Sequence, residues 1–177
     1  MMDTVLNLGI TAPGALCLAR ETGNPGFALD TWLRFWRMFS DIVLGLDADA
    51  LIAALAPSID AARAHTTPEP FDRLEQGIVQ TIAEQGGGQV RADPHWQLLR
   101  AVGAVFESWD SRRAKAYRAH HAISDALGTS VTIQAMVFGN FDARSGSGVA
   151  FTRNPNTGER ALYGEFLLGR QGEDLVS

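Results

Sequence analysis

The sequence predicts an α+β protein: a helical part over about residues 28–122, followed by a short antiparallel β meander within about 128–170. Two observations predict it. Apolar residues recur at three- and four-residue spacing through the first part. The pattern then changes near Leu127-Gly128 to the β-branched, apolar run Val131-Thr132-Ile133-Gln134-Ala135-Met136-Val137-Phe138, with Gly/Ser/Asn turn signals after it.

The elements follow in order. Residues 1–26 hold several glycines and prolines without a sustained period, which predicts loop with one short helix, broken at Gly23-Asn24-Pro25-Gly26. Asp30 is the expected N-cap of a helix to about Leu44, carrying Phe35, Met38, Phe39, Ile42 and Val43 on one face; Gly45 fits its end. Asp47 opens an Ala- and Leu-rich helix that stops before Pro57, and a short helix follows over 58–65. After Thr66-Thr67-Pro68-Glu69-Pro70, the stripe Phe71, Leu74, Ile78, Ile82 predicts a helix closed by Gly86-Gly87-Gly88. Asp93-Pro94 reads as an N-cap with proline at the first helical position. Leu98, Ala101, Val102, Val105, Phe106 and Trp109 form the expected apolar face behind it, and Ser111 caps a last helix to about His121. Three strands are expected, over 131–138, 149–152 and 160–168. So thin a sheet needs covering or further strands, which suggests a piece of something larger.

Bulk properties narrow the class. The chain has 177 residues, 46% hydrophobic and 20% charged, enough for a core without staples. A formal charge of −5 gives no counterion-release drive toward nucleic acid or anionic lipid, so neither partner is expected. No apolar run approaches the ~20 residues that span a bilayer, and the N-terminus lacks a secretory signal pattern. Cytoplasmic residence is the expectation. Cys17 is the single cysteine and is expected to be a small buried hydrophobe. Lys115 is the single lysine among 15 basic residues, a scarcity in any site that neutralises phosphates.

Three stretches could carry chemistry. A threonine on a tight loop, such as Thr4 after Asp3, can offer hydroxyl and amide to a phosphate oxygen, although Asp-Thr alone is commonplace. The run through Gln134 and Met136 could line an adenine with backbone groups and apolar side chains; from pattern alone an ordinary core strand fits better. The acidic residues Glu165, Glu173 and Asp174 could serve a magnesium–triphosphate group, or simply be solvated surface charges. His65, His95, His120 and His121 show no metal-ligand spacing, and Trp32, Trp36, Trp96 and Trp109 read as packing residues. No catalytic and no metal-binding residue is assigned.

Together these stretches resemble one family, the pyruvate phosphate dikinases. Met1-Met2-Asp3-Thr4-Val5-Leu6-Asn7-Leu8-Gly9 and the region 24–45 carry part of the likeness. The rest lies in Gln134-Ala135-Met136-Val137-Phe138-Gly139-Asn140, Ser145-Gly146-Ser147-Gly148-Val149-Ala150-Phe151-Thr152-Arg153-Asn154-Pro155, Tyr163-Gly164-Glu165-Phe166 and Gln171-Gly172-Glu173-Asp174. The helical middle resembles the family more loosely. The wording of 151–155 and 163–166 argues against the related phosphoenolpyruvate synthases.

The resemblance implies residues 1–177 as part of an incomplete ATP-grasp-type domain, in an enzyme interconverting ATP, phosphate and pyruvate with AMP, diphosphate and phosphoenolpyruvate. It implies ATP/AMP and Mg2+ as cofactors. The remaining domains of the same enzyme are the implied partners, a phosphohistidine domain and a pyruvate barrel in a homo-oligomer. Asp3 and Thr4 match the phosphate loop, Gln134 and Met136 the adenine side, and Glu165, Glu173 and Asp174 the acidic positions of the cleft. Asn156 stands where the family often has serine. The family's phosphate-binding lysine, its metal-holding Asp-x-Glu and its Gln-x-Arg pair have no match here, so this segment is expected to be inactive alone. The alternative is a stand-alone, non-catalytic nucleotide-binding or interaction module derived from that domain.

Overall fold

The structure is a computed structural model that describes residues 4–64 and 67–171. It divides between Gln134 and Ala135 into two compact units.

The first unit is helical. Thr11 caps α1 (Ala12–Thr22) by accepting from the Gly14 amide, and α1 ends at Gly23. The next helix, α2, spans Pro25–Met38 and starts earlier than the expected Asp30. Asn24 is the cap, accepting from the Phe27 amide at 3.0 Å, with Pro25 already pre-set for the first turn. Asp30 lies inside α2 and pairs with Arg63 at 2.7 Å. α2 passes directly into a wider turn over Phe39–Val43, where the Leu44 amide reaches back to the Phe39 carbonyl at 3.1 Å. Next come α3 (Ala48–Ala54), capped by Asp47, and α4 (Ala56–Ala64).

The core draws its large side chains from α2 and α5 (Pro68–Glu84), with α1, α3 and α4 packed against them. Trp32, Phe35, Trp36 and Phe39 are fully buried, as are Phe71, Leu74, Ile78 and Ile82 of the predicted stripe. Trp32 stacks on Phe71 with ring centroids 5.7 Å apart and planes 12° from parallel. Burial of large apolar side chains at about 25 cal/mol per Å2 makes this cluster the dominant stabilising feature of the unit.

α6 (Pro94–Ser108) begins as expected, the Asp93 carboxylate accepting from the Trp96 amide at 2.7 Å. Its expected apolar face is only partly covered. Gln97 and Ala101 are the buried positions, while Phe106 is 51% exposed. The helix packs on the Phe39–Val43 turn, and Trp96 meets Phe39 at 5.9 Å. α7 (Arg112–His120) follows, capped by Ser111. It buries Arg118, whose guanidinium lies 4.0 Å from the Trp109 ring centroid and bonds Asp125 and the Trp109 carbonyl.

The second unit carries a two-stranded antiparallel hairpin, β1 (Gly146–Phe151) with β2 (Tyr163–Leu168), in register from Gly146 opposite Leu168 to Phe151 opposite Tyr163. Residues 131–138, expected as a first strand, form none. A strand exists through its ladder, and β-branched composition alone supplies only a preference for extended backbone. Among the described residues β1 and β2 pair only with each other, so Val137 is 89% exposed. The α+β class stands, with two strands in place of three.

Candidate functional site

Thr4 is exposed and opens a short loop that runs to α1. The loop turns at Asn7, a buried residue in the left-handed region (φ 58), and at Gly9 (φ 95). The Ile10 amide closes the turn onto the Asn7 carbonyl at 3.3 Å. Glycine suits the second position because side-chain-bearing residues rarely adopt φ near 95. Two distant side chains fasten the segment. Gln97, fully buried in the first turns of α6, accepts from the Gly9 amide at 3.0 Å and donates to the Ile10 carbonyl at 3.4 Å. Glu75 of α5 accepts from the Ala12 amide at 2.9 Å, at the start of α1. Burial pushes the Glu75 carboxyl above the ordinary carboxylate range; the Ala12 amide opposes that rise and nearby Asp72 adds to it.

In the second unit, Met136 is half-buried and Glu165 is exposed on β2, opposite Val149. The glycine-rich stretch before β1 is held tightly. Ser147 donates to the Arg170 carbonyl at 2.8 Å, and Gln171 donates to Asn140 at 3.0 Å. A Cβ on Gly139 would lie 2.0 Å from the Ser147 oxygen, so the backbone approaches there as only glycine permits. The turn over 142–145 is organised by Asp142. Hydrogen bonds from Ser145 and the Arg144 amide hold its carboxyl below the ordinary range, with the Arg144 side chain assisting.

Of the predicted site residues, Thr4 belongs to the first unit, Gln134 is exposed at its end, and Met136 and Glu165 belong to the second. Among the described residues, no side-chain hydrogen bond joins Thr4 to Gln134 within the first unit, or Met136 to Glu165 within the second. Asp3, Glu173 and Asp174 lie outside the described residues. Lys115 sits on α7, 3.3 Å from Asp110. Among the described residues, no group of three or more His, Cys, Asp or Glu side chains is placed to hold a metal ion.

Cys17 is a correction. It is exposed on α1, because Ala12, Ala15, Leu16 and Ala19 occupy the buried face of that helix. Its thiol bonds the Glu21 carboxylate at 3.5 Å, which raises its pKa. Gln97 and Glu75 were not singled out from the sequence. The available signal was a glutamine at position 97, one turn before Ala101 on the face that α6 buries.

A loop with left-handed turns held by the buried Gln97 and the half-buried Glu75, and a glycine-rich hairpin in a second unit, fit a nucleotide-binding α+β domain. The model of the pyruvate phosphate dikinase AMP/ATP-binding domain matches residues 2–177. The chain belongs to that family. It is 43% identical over 182 residues to the pyruvate, phosphate dikinase of Rhizobium meliloti (strain 1021). It is 41% identical over 182 residues to that of Clostridium symbiosum, and 44% over 183 residues to that of Giardia intestinalis. Each comparison covers 100% of this chain and 20–21% of the relative. The chain therefore spans about a fifth of the length of these curated relatives. Among the described residues, no helix is long and apolar enough to cross a membrane.

Proposed function

We propose that this chain supplies one part of the ATP/AMP site of a pyruvate, phosphate dikinase, the activity named for its relatives. The full reaction would interconvert ATP, phosphate and pyruvate with AMP, diphosphate and phosphoenolpyruvate. The observation that carries this reading is the family match over nearly the whole chain, together with a Thr4 loop anchored at its far end. In this reading Asp3 and Thr4 meet the phosphates, Gln134 and Met136 the adenine side, and Glu165, Glu173 and Asp174 the acidic rim. Residues 28–122 form the helical part and 128–170 the β part of the nucleotide-binding domain.

Mg2+ is the fitting counter-ion, since phosphoryl transfer is mostly positioning and charge neutralisation. Part of this segment's positive charge is already committed: Lys115 is paired on α7, and Arg37, Arg63, Arg118 and Arg144 each face an aspartate. Turnover then requires the remaining domains of the same enzyme, a phosphohistidine domain and a pyruvate barrel, in a cytoplasmic homo-oligomer. By itself the segment is inactive. Losing even one donor to a developing charge costs about 10²–10³ in rate, so losing several removes catalysis.

Calorimetry of this chain with magnesium ATP tests the reading. Binding weaker than ~10 µM, about −7 kcal/mol, is expected. Tighter binding, or ATP consumption in the presence of pyruvate and phosphate, would overturn the view of an incomplete pocket.

A further inference from the structure

We propose that Gln97 is a positioning residue for the loop that presents Thr4, and that its carboxamide, rather than the loop's own side chains, fixes the turn at Asn7 to Ile10. The inference rests on the reading of that loop as a phosphate-contacting element.

A phosphate loop must hold its donors in place before the ligand arrives, because a disordered loop pays its ordering entropy on binding. Asn7 and Gly9 both adopt left-handed backbone, a shape that an isolated chain would leave readily. Asn7 does not secure the turn through its own side chain. Both polar atoms of its amide are buried and find no hydrogen-bond partner among the described residues. The hold comes instead from 87 and 88 residues away. The Gln97 oxygen takes the Gly9 N–H and the Gln97 nitrogen gives to the Ile10 C=O, so one side chain brackets the Gly9-Ile10 dipeptide at its two outer ends.

This geometry needs the amide group specifically, since no other side chain of that length carries an acceptor and a donor side by side. Gln97 is itself held. It is fully buried, and its backbone amide bonds the Asp93 carbonyl at 2.9 Å in the capped first turn of α6. α6 in turn packs Trp96 against Phe39 of the core. A rigid chain of contacts thus runs from the core to the base of the Thr4 loop.

The experiment compares Gln97→Leu, Gln97→Glu, Thr4→Val and the core variant Ile78→Val in the protein expressed at full length. It measures magnesium ATP affinity by calorimetry, thermal stability, and hydrogen exchange of the Gly9 amide. Gln97→Leu should speed exchange at Gly9 and weaken ATP binding ~10-fold, the equivalent of one buried hydrogen-bonding group. Gln97→Glu keeps the acceptor for Gly9 and should recover part of that loss. Ile78→Val should lower stability and leave ATP affinity unchanged.

Undiminished ATP affinity in Gln97→Leu overturns the inference. So does a loss in Ile78→Val of the same size, because the effect would then track stability alone. If Gln97→Leu does not fold, Gln97→Asn replaces it. Its shorter side chain cannot reach both groups, and unchanged affinity in it overturns the inference equally. Thr4→Val separates the two levels. If it leaves ATP binding intact, the phosphate-loop reading falls; if it weakens binding while Gln97→Leu does not, only the positioning role falls.

Discussion

Gln97 and Gly9, 88 positions apart, share a hydrogen bond of 3.0 Å that ties the start of α6 to the loop entering α1. Both ends of that bond are local products, a capped helix and a glycine turn. Their meeting belongs to the helical packing, and the mechanics of the candidate site depend on it.

Removing that side chain should also be visible in stability. Gln97→Ala leaves the Gly9 N–H and the Ile10 C=O without this partner in a part-buried setting, which costs about 2–6 kcal/mol at ~1–3 per group. Urea denaturation of the variant against the parent measures it, and a midpoint unchanged within error would contradict the assignment.

The aromatic core should be comparably sensitive. Phe71 is fully buried and stacked on Trp32, and its truncation leaves a void that neighbours on two helices cannot both fill. Phe71→Ala is expected to cost about 3–5 kcal/mol. The chemical-denaturation midpoint reports it.

Arg118 and Asp125 should respond unequally. The arginine side chain is 4% exposed and the aspartate 82%. Asp125→Ala removes an interaction open to water, worth under ~1 kcal/mol. Arg118→Ala also loses the contact with the Trp109 ring and the bond to the Trp109 carbonyl, and should cost about 2–3 kcal/mol. Equal costs would show that the ion pair alone matters.

Glu75 makes a prediction about pH. Burial raises its folded pKa above the unfolded value, so the folded state binds the proton more tightly. Its stabilising contribution is then complete below the unfolded pKa and is lost as pH rises through the folded value. Glu75→Gln keeps an oxygen for the Ala12 amide and cannot ionise. The variant should lose this decline, and its stability relative to the parent should rise between acid and neutral pH. Thermal melts across that range test the sign.

Cys17 should be a sluggish nucleophile despite its exposure. The Glu21 carboxylate favours the thiol over the thiolate, which is the reactive form. Iodoacetamide labelling at neutral pH should accelerate in Glu21→Gln; an unchanged rate would show that the contact has no chemical effect.

Much of the helical unit was legible because its signals are local. Asp47, Asp93 and Ser111 cap helices where the pattern placed them, and the stripe from Phe71 to Ile82 is buried as its spacing required. The chain does break between α1 and α2 at Gly23, but Asn24 rather than the expected Asp30 caps α2; the flanking Gly23 and Gly26 mask the cap signal of an Asn-Pro start. The candidate site was legible only through resemblance. Thr4, Met136 and Glu165 carry no local mark of function, and Gln134 sits in a run whose composition mimics a core strand.

The amino-acid order by itself determined the α+β class, the helix caps and the apolar stripes, since each depends on residues within a few positions of one another. Tertiary structure decided that 131–138 forms no ladder, that Cys17 faces solvent, and that Gln97 and Glu75 hold the segment from Gly9 to Ala12. These outcomes turn on which groups come to lie beside one another after the chain has packed. A hydrogen bond between residues 88 positions apart leaves no periodic trace in the sequence.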